Sequence, residues 1–367
     1  MRKERAYFAM TAAILLSISM TACGGGNAKG QIQTETEETA TQETVAPASM
    51  AQETTADSAG RDGDGTTEND LPENTDIVSS SEKLPFSLGQ KIESDSFTGN
   101  AYIEMMIAND ETYHFPQTNH LSFEPGARSS WHSHGGMVLL ITGGKGFYQE
   151  EGKAAQILRP GDVVDIEPGV KHWHGAAPDS WFSQIVIFDS HYVPEEGAMS
   201  AEEPVTDEQY NNLETEEYTR RIVKPDNTLM FERAEEAVEF DTFSGPSYVS
   251  SLIGADNAAG APEIHYVVFE PSVINNWHTH EGGQILIATD GIGYHQIEGE
   301  PVQVLYPGDV ALCPPGVKHW HGGSIDTNFA HIAVNTNPDL TGLIWFDRIT
   351  QEEYAKLPTE KGTESKD

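Results

Sequence analysis

One pattern occurs twice in this chain, so whatever fold it specifies must be built twice. Trp131-His132-Ser133-His134-Gly135-Gly136-Met137 returns as Trp277-His278-Thr279-His280-Glu281-Gly282-Gly283-Gln284. Pro168-Gly169-Val170-Lys171-His172-Trp173-His174 returns as Pro315-Gly316-Val317-Lys318-His319-Trp320-His321. Around them Phe97-Thr98-Gly99 matches Phe243-Ser244-Gly245, Phe123-Glu124-Pro125 matches Phe269-Glu270-Pro271, and Pro160-Gly161-Asp162-Val163 matches Pro307-Gly308-Asp309-Val310. The offset is 146 residues up to the second His of each pair and 147 afterwards. A residue equivalent to Glu281 is therefore missing from the first copy. Self-similarity at a fixed offset means two complete units of one fold in tandem.

Each unit is short β-branched and aromatic runs broken by Gly, Pro and Asp, which predicts an all-β sandwich or barrel. Gly144, Gly146, Gly291 and Gly293 read as turn glycines; a phosphate loop is excluded because no helix follows them. Each unit closes on a short acidic helical segment, with Thr206 and Thr350 as N-caps. The expected domains are residues 84–214 and 215–358.

The repeated histidines have the spacing of a metal site. Alternate side chains of a strand share a face, so His278 and His280 point the same way if the stretch is extended. Gln284 keeps that parity and offers an oxygen or, alternatively, only a hydrogen bond. His319 closes the set from a neighbouring strand. The first copy supplies His132, His134 and His172, but Met137 stands where Gln284 stands, and a thioether is a poor ligand for a hard divalent ion. His265 and His295 could face the barrel interior or take surface or core places, Cys313 reads as a core thiol, and Trp173 and Trp320 as apolar supports beside the ligands.

The ends carry a different message. Met1-Arg2-Lys3-Glu4-Arg5 leads into an apolar run from Ala6 to Met20 and then Thr21-Ala22-Cys23-Gly24, too short for a span and patterned as a secretion signal. The small residues before Cys23 resemble a bacterial lipobox, which implies a signal over 1–23, lipid on Cys23, and an exported protein anchored to the cell membrane on its extracellular or periplasmic face. Residues 24–83 are rich in Thr, Glu, Gln, Ser and Ala and read as a disordered acidic tether; 359–367 read as a disordered tail. A net charge of −37, from 58 acidic and 21 basic residues, excludes nucleic acid as a partner and leaves the lipid as the sole tie to a membrane. With Cys23 lipidated, Cys313 has no cysteine to pair with.

His-x-His, Gly-Asp-Val and Pro-x-Gly-x-x-His together resemble the paired motifs of the cupin superfamily, twice over and across nearly all of residues 84–357. The resemblance implies two small jelly-roll barrels, a bicupin. Gln284 in place of the usual cupin Glu, with Lys318-His319-Trp320-His321, is similar to the cupins of the bacterial hydroxynitrile lyase type and to cupin domains fused to carboxymuconolactone decarboxylase-like proteins. That subgroup implies manganese(II) on His278, His280, Gln284 and His319, with iron, zinc, nickel or copper as other divalent occupants. It also places two non-ligand histidines near the metal, here His321 and His331, as candidate proton carriers; the first copy has His174 and Gln184. His321 could equally orient a ligand, and His331 could be a satisfied core histidine. The implied function is metal-assisted acid/base chemistry on a small oxygenated organic substrate. A dioxygenase and a surface protein that binds a ligand or metal without turnover are the alternatives. The fused barrels would reproduce a dimer within one chain, and a homo-oligomer is also compatible.

Overall fold

In the computed structural model, the residues described are 77–108, 112–113, 117–189, 192, 203–218, 229–238 and 240–358. The expected signal, Cys23, most of the tether and the tail at 359–367 lie outside them. Among the described residues no helix is long and apolar enough to cross a membrane.

The chain is nearly all β. In the first copy, one antiparallel sheet runs in the order Gln90–Lys91, Ala101–Ile107, Gln117–Phe123, Phe182–Phe188, Met137–Gly144, Val163–Ile166. Its partner sheet runs Thr215–Glu217, Ala155–Leu158, Gly146–Glu150, His172–Ala176, Arg128–Ser129, Phe97–Thr98. The second copy repeats the scheme. One sheet holds Ser247–Ile253, Ile264–Phe269, Phe329–Asn335, Gln284–Gly291 and Val310–Cys313, and the other Gln303–Leu305, Gly293–Ile297, His319–Gly323, His278–His280 and Leu343–Trp345. Neighbours that are distant in sequence, such as Met137–Gly144 beside Phe182–Phe188, are the crossovers of a jelly roll.

Two expected boundaries shift. Val78 bridges Trp181, so backbone pairing begins ahead of residue 84, and Thr215–Glu217 pairs with Ala155–Leu158 of the first copy, past residue 214.

The strand sequences explain how the two units pack. Along Gln284–Gly291, Leu286 and Ala288 join the interior cluster of the second barrel, while Ile285 and Ile287 face outward. Along Phe329–Asn335, Phe329 and Ala333 face in, and Ala330, Ile332 and Val334 face out. These outward residues meet Val138, Leu140, Ile185 and Ile187 of the first barrel in one continuous core. Both faces of the strands are thereby buried, so they read as unbroken apolar runs. The Asp165 carboxylate accepts from the backbone N–H groups of Ala258 (2.8 Å) and Ala259 (2.7 Å), pinning the contact. A Cβ on Gly136 would lie 1.7 Å from the Ala259 carbonyl oxygen, so glycine is required at that approach.

The terminal helical segments are as expected. Asp207–Asn211 and Gln351–Tyr354 each start with a reciprocal capping box, Thr206 with Gln209 and Thr350 with Glu353. Their tyrosines tie them to the barrels: the hydroxyl of Tyr210 donates to Ala176 O (2.6 Å) and that of Tyr354 to Gly323 O (2.8 Å). The glycine expectation is half right. Gly144 and Gly291 take left-handed φ of 68° and 66°, but Gly146 and Gly293 begin strands and are small because Phe182 and Phe329 rings lie where a Cβ would go.

Candidate metal centre

The second barrel brings its histidines together through strand pairing. His278–His280 pairs with His319–Gly323, placing His278 opposite His319, and with Leu343–Trp345 on the other side. The His278 ring centroid lies 4.2 Å from that of His319, 5.1 Å from His280 and 5.3 Å from His321. Nδ1 of His278 bonds Asn276 O (2.9 Å), and Nδ1 of His319 bonds Val317 O (3.1 Å). A carbonyl oxygen only accepts, so each Nδ1 carries the proton and each Nε2 presents a lone pair to the interior.

Gln284 sharpens this. Its Nε2 donates to Asn335 Oδ1 (3.1 Å), which turns Oε1 to within 3.3 Å of His319 Nε2. Two acceptors then face each other in a buried space, and the Nε2 of His280 is buried there with no hydrogen-bond partner. Lone pairs left like this are costly unless a cation lies between them. These residues fit a divalent ion.

The nitrogens of His278, His319 and His321 also lie within 4.8 Å of one another. His321, however, has its Nε2 engaged by Asn275 Nδ2 at 3.0 Å. Its ring centroid is 4.9 Å from that of His331, which stacks against Phe329 (5.0 Å) and Phe269 (5.9 Å) and has neither ring nitrogen bonded. A cavity of about 200 Å³ opens beside His280, lined also by Ala261, Glu263, Asn335, Leu340 and Thr341.

Burial holds the imidazoles neutral. Loss of water, then repulsion from His280, pushes His278 down to about 3; His280 falls to about 4 and His331 to about 3, also mainly by burial. A group whose folded pKa is depressed contributes stability above its unfolded value and loses it as pH falls. The metal-free protein is therefore expected to melt at steadily lower temperature from about pH 6.5, where a free histidine titrates, down to about pH 4. A melting temperature flat across that window would contradict it.

The first barrel assembles its imidazoles in the same way. His132, His134 and His172 have centroids 4.4 to 5.2 Å apart, and Nδ1 of His132 and His172 bond Ser130 O (2.8 Å) and Val170 O (2.9 Å). Nε2 of His134 and of His172 are buried without partners. The fourth corner is different. Met137 pairs with Phe188 and Ile166 and packs with them in an apolar cluster, where the second barrel pairs Gln284 with Asn335 and Cys313.

The structure decides several residues of the site that the sequence left open or did not show. His295 lies inside the barrel, 5.7 Å from His319, with Nδ1 on Gln303 Oε1 (2.8 Å) and Nε2 on the buried Cys313 thiol (3.1 Å), whose pKa burial pushes up. His265 is half-buried on the inward-facing parity of Ile264–Phe269. Trp345 lies 4.7 Å from His278. Comparing the two copies position by position could have found Asn335 and His295, because Phe188 and Tyr148 replace them. The expected place of Trp173 and Trp320 is corrected: strand alternation turns them away from the flanking histidines, against Tyr210 and Tyr354 at the terminal helices.

Residues 265–332 match the family model described as "Cupin domain". The (R)-mandelonitrile lyase of Granulicella tundricola is 39% identical over 119 residues, which span 32% of this chain and 88% of that protein. The chain belongs to the cupin family. Among solved structures, this cupin is similar to a cupin-like protein of Thermotoga maritima, 40% identical over 35% of this chain and 95% of the other, with a TM-score of 0.33. It is also similar to an oxalate decarboxylase of Lactobacillus farciminis, 14% identical over 77% of this chain and 98% of the other, with a TM-score of 0.47.

Proposed function

We propose that the second barrel is a metal-dependent lyase that cleaves a small cyanohydrin or a related hydroxy compound, and that the first barrel is its structural partner. The observation that carries this reading is the pair of buried imidazoles, His321 and His331, set beside a converging group of His278, His280, Gln284 and His319. The identity to a mandelonitrile lyase supports the substrate class.

In this reading His278, His280 and His319 hold the ion through Nε2 and Gln284 through Oε1. All four are neutral, so the ion keeps its full positive charge and, when bound, polarises a hydroxyl or carbonyl oxygen. His331, with no bonded ring nitrogen, takes the hydroxyl proton of the cyanohydrin. The C–C bond then breaks, its electron pair leaving on the cyanide carbon, and the hydroxyl-bearing carbon becomes the aldehyde. The His331 imidazolium then returns that proton to cyanide, which leaves as hydrogen cyanide, and a ring N–H of neutral His321 donates a hydrogen bond to the departing group. Manganese is the proposed ion. We also read the N-terminal segment as an export signal with lipid on Cys23, which would hold the enzyme at the outer face of a membrane.

Manganese-loaded protein is expected to release benzaldehyde from mandelonitrile, and chelation is expected to abolish that release. Excluding oxygen should leave the rate unchanged. Release no faster than in the chelated control would sink the lyase reading, and a strict oxygen requirement would transfer the site to dioxygenase chemistry.

A further inference from the structure

Asn275 makes three hydrogen bonds to one residue. Its backbone N–H donates to His321 O (3.1 Å), its Oδ1 accepts from the His321 backbone N–H (2.9 Å), and its Nδ2 lies 3.0 Å from His321 Nε2. The orientation of the amide follows from the middle bond. A backbone N–H only donates, so the atom facing it must be Oδ1, and the atom facing the ring must be Nδ2, which also only donates. His321 Nε2 must then be the acceptor. The single proton of the neutral ring therefore sits on Nδ1, which is buried in the barrel interior and has no hydrogen-bond partner.

We propose that Asn275 is a positioning residue that holds His321 as the Nδ1–H tautomer, keeping it off the metal and offering its ring proton to the space it shares with His331. The consequence for function rests on His321 acting as the hydrogen-bond donor to the departing group of the proposed lyase. With Nε2 occupied by an amide N–H and Nδ1 protonated, neither nitrogen has a lone pair for an ion. This explains how His321 can lie close enough to His278 and His319 to be a fourth imidazole ligand and still keep an N–H to donate to a substrate.

The first barrel provides an internal contrast. Ser129 stands in place of Asn275, and its Oγ accepts from the His174 backbone N–H (3.2 Å) with no second group to reach the ring. The Gln184 amide instead meets the ring at the other nitrogen, Nδ1 (2.8 Å). Equivalent imidazoles are met by an amide at opposite ring nitrogens, and the barrel with the Asn275 arrangement is the one that keeps His331.

The test uses the full chain, labelled with ¹⁵N-histidine and loaded with zinc, a diamagnetic ion. Long-range ¹⁵N–¹H spectra distinguish the tautomers, and the His321 signal is assigned by its loss in His321→Gln. Wild-type His321 is expected to show a protonated Nδ1 and a bare Nε2. In Asn275→Asp a carboxylate accepts where the amide donated, so Nε2 is expected to become protonated, with kcat for mandelonitrile falling roughly 100-fold while KM and metal content stay near wild type. Asn275→Ser, which copies the first barrel, should lose the single tautomer and keeps the test decisive if the Asp variant does not fold. A wild-type spectrum with Nε2–H, or a His321 signal unchanged in the folded variants, would overturn the proposal. Wild-type protein that cleaves no cyanohydrin would sink the lyase reading alone, because the spectra still decide the tautomer.

Discussion

Alanine at His278 is expected to leave the second barrel without metal and without turnover. This ring is the centre of the cluster, with His319, His280 and His321 all within 5.3 Å centroid to centroid. Its Nδ1–H is fixed by Asn276 O, so its Nε2 lone pair is already aimed inward and little ordering remains to be done when an ion binds. Removing a direct ligand should exceed the ~10–100-fold loss of affinity that removing a supporting group causes. The first barrel acts as the control, because His132, His134 and His172 stay intact in the same molecule. Metal analysis is expected to read about one equivalent of manganese in the wild type, because three neutral imidazoles with a hard oxygen hold it better than three with Met137. His278→Ala should take that value close to zero. Two equivalents in the wild type, or a variant that keeps its equivalent, would place the competent site elsewhere.

Substituting His331 should separate binding from chemistry. His331→Gln copies Gln184 of the first barrel and keeps a side chain between Phe269 and Phe329, so the barrel should still close. The metal ligands in the proposed scheme are untouched, and manganese content should match wild type. An amide cannot take a proton near neutral pH, so kcat for mandelonitrile cleavage is expected to fall by roughly 10²–10⁴-fold, the usual contribution of a placed general base. Full activity in the variant would remove His331 from the mechanism. Loss of activity together with loss of metal would make it a structural support instead.

Much of this was legible because β-structure writes its geometry along the chain. A period of two fixes which side chains share a face, so His278 with His280 could be placed from sequence spacing. The repeat then did what one copy alone could not. It set Met137 against Gln284 and Gln184 against His331, and in the structure these positions separate an apolar corner from a polar one.

What the sequence misplaced or left open shares a physical cause. Trp173 and Trp320 sit next to histidines in sequence, but adjacency on a strand means opposite faces, and they pack against the terminal helices. His295 belongs to a strand whose inward face is set by pairing with His319–Gly323, across a long connection that carries no local pattern. Asn275 falls outside the named strands, and its meaning comes from the distance of one amide to one ring nitrogen.

By itself, then, the sequence determined two β-barrels in tandem, three imidazoles aimed into each, and the difference between Gln284 and Met137, because alternation and repetition are local and countable. Only the tertiary structure decided which imidazoles have free lone pairs and which, such as His321, do not. Protonation of a ring depends on what faces each nitrogen, and those neighbours come from strands far apart in the chain.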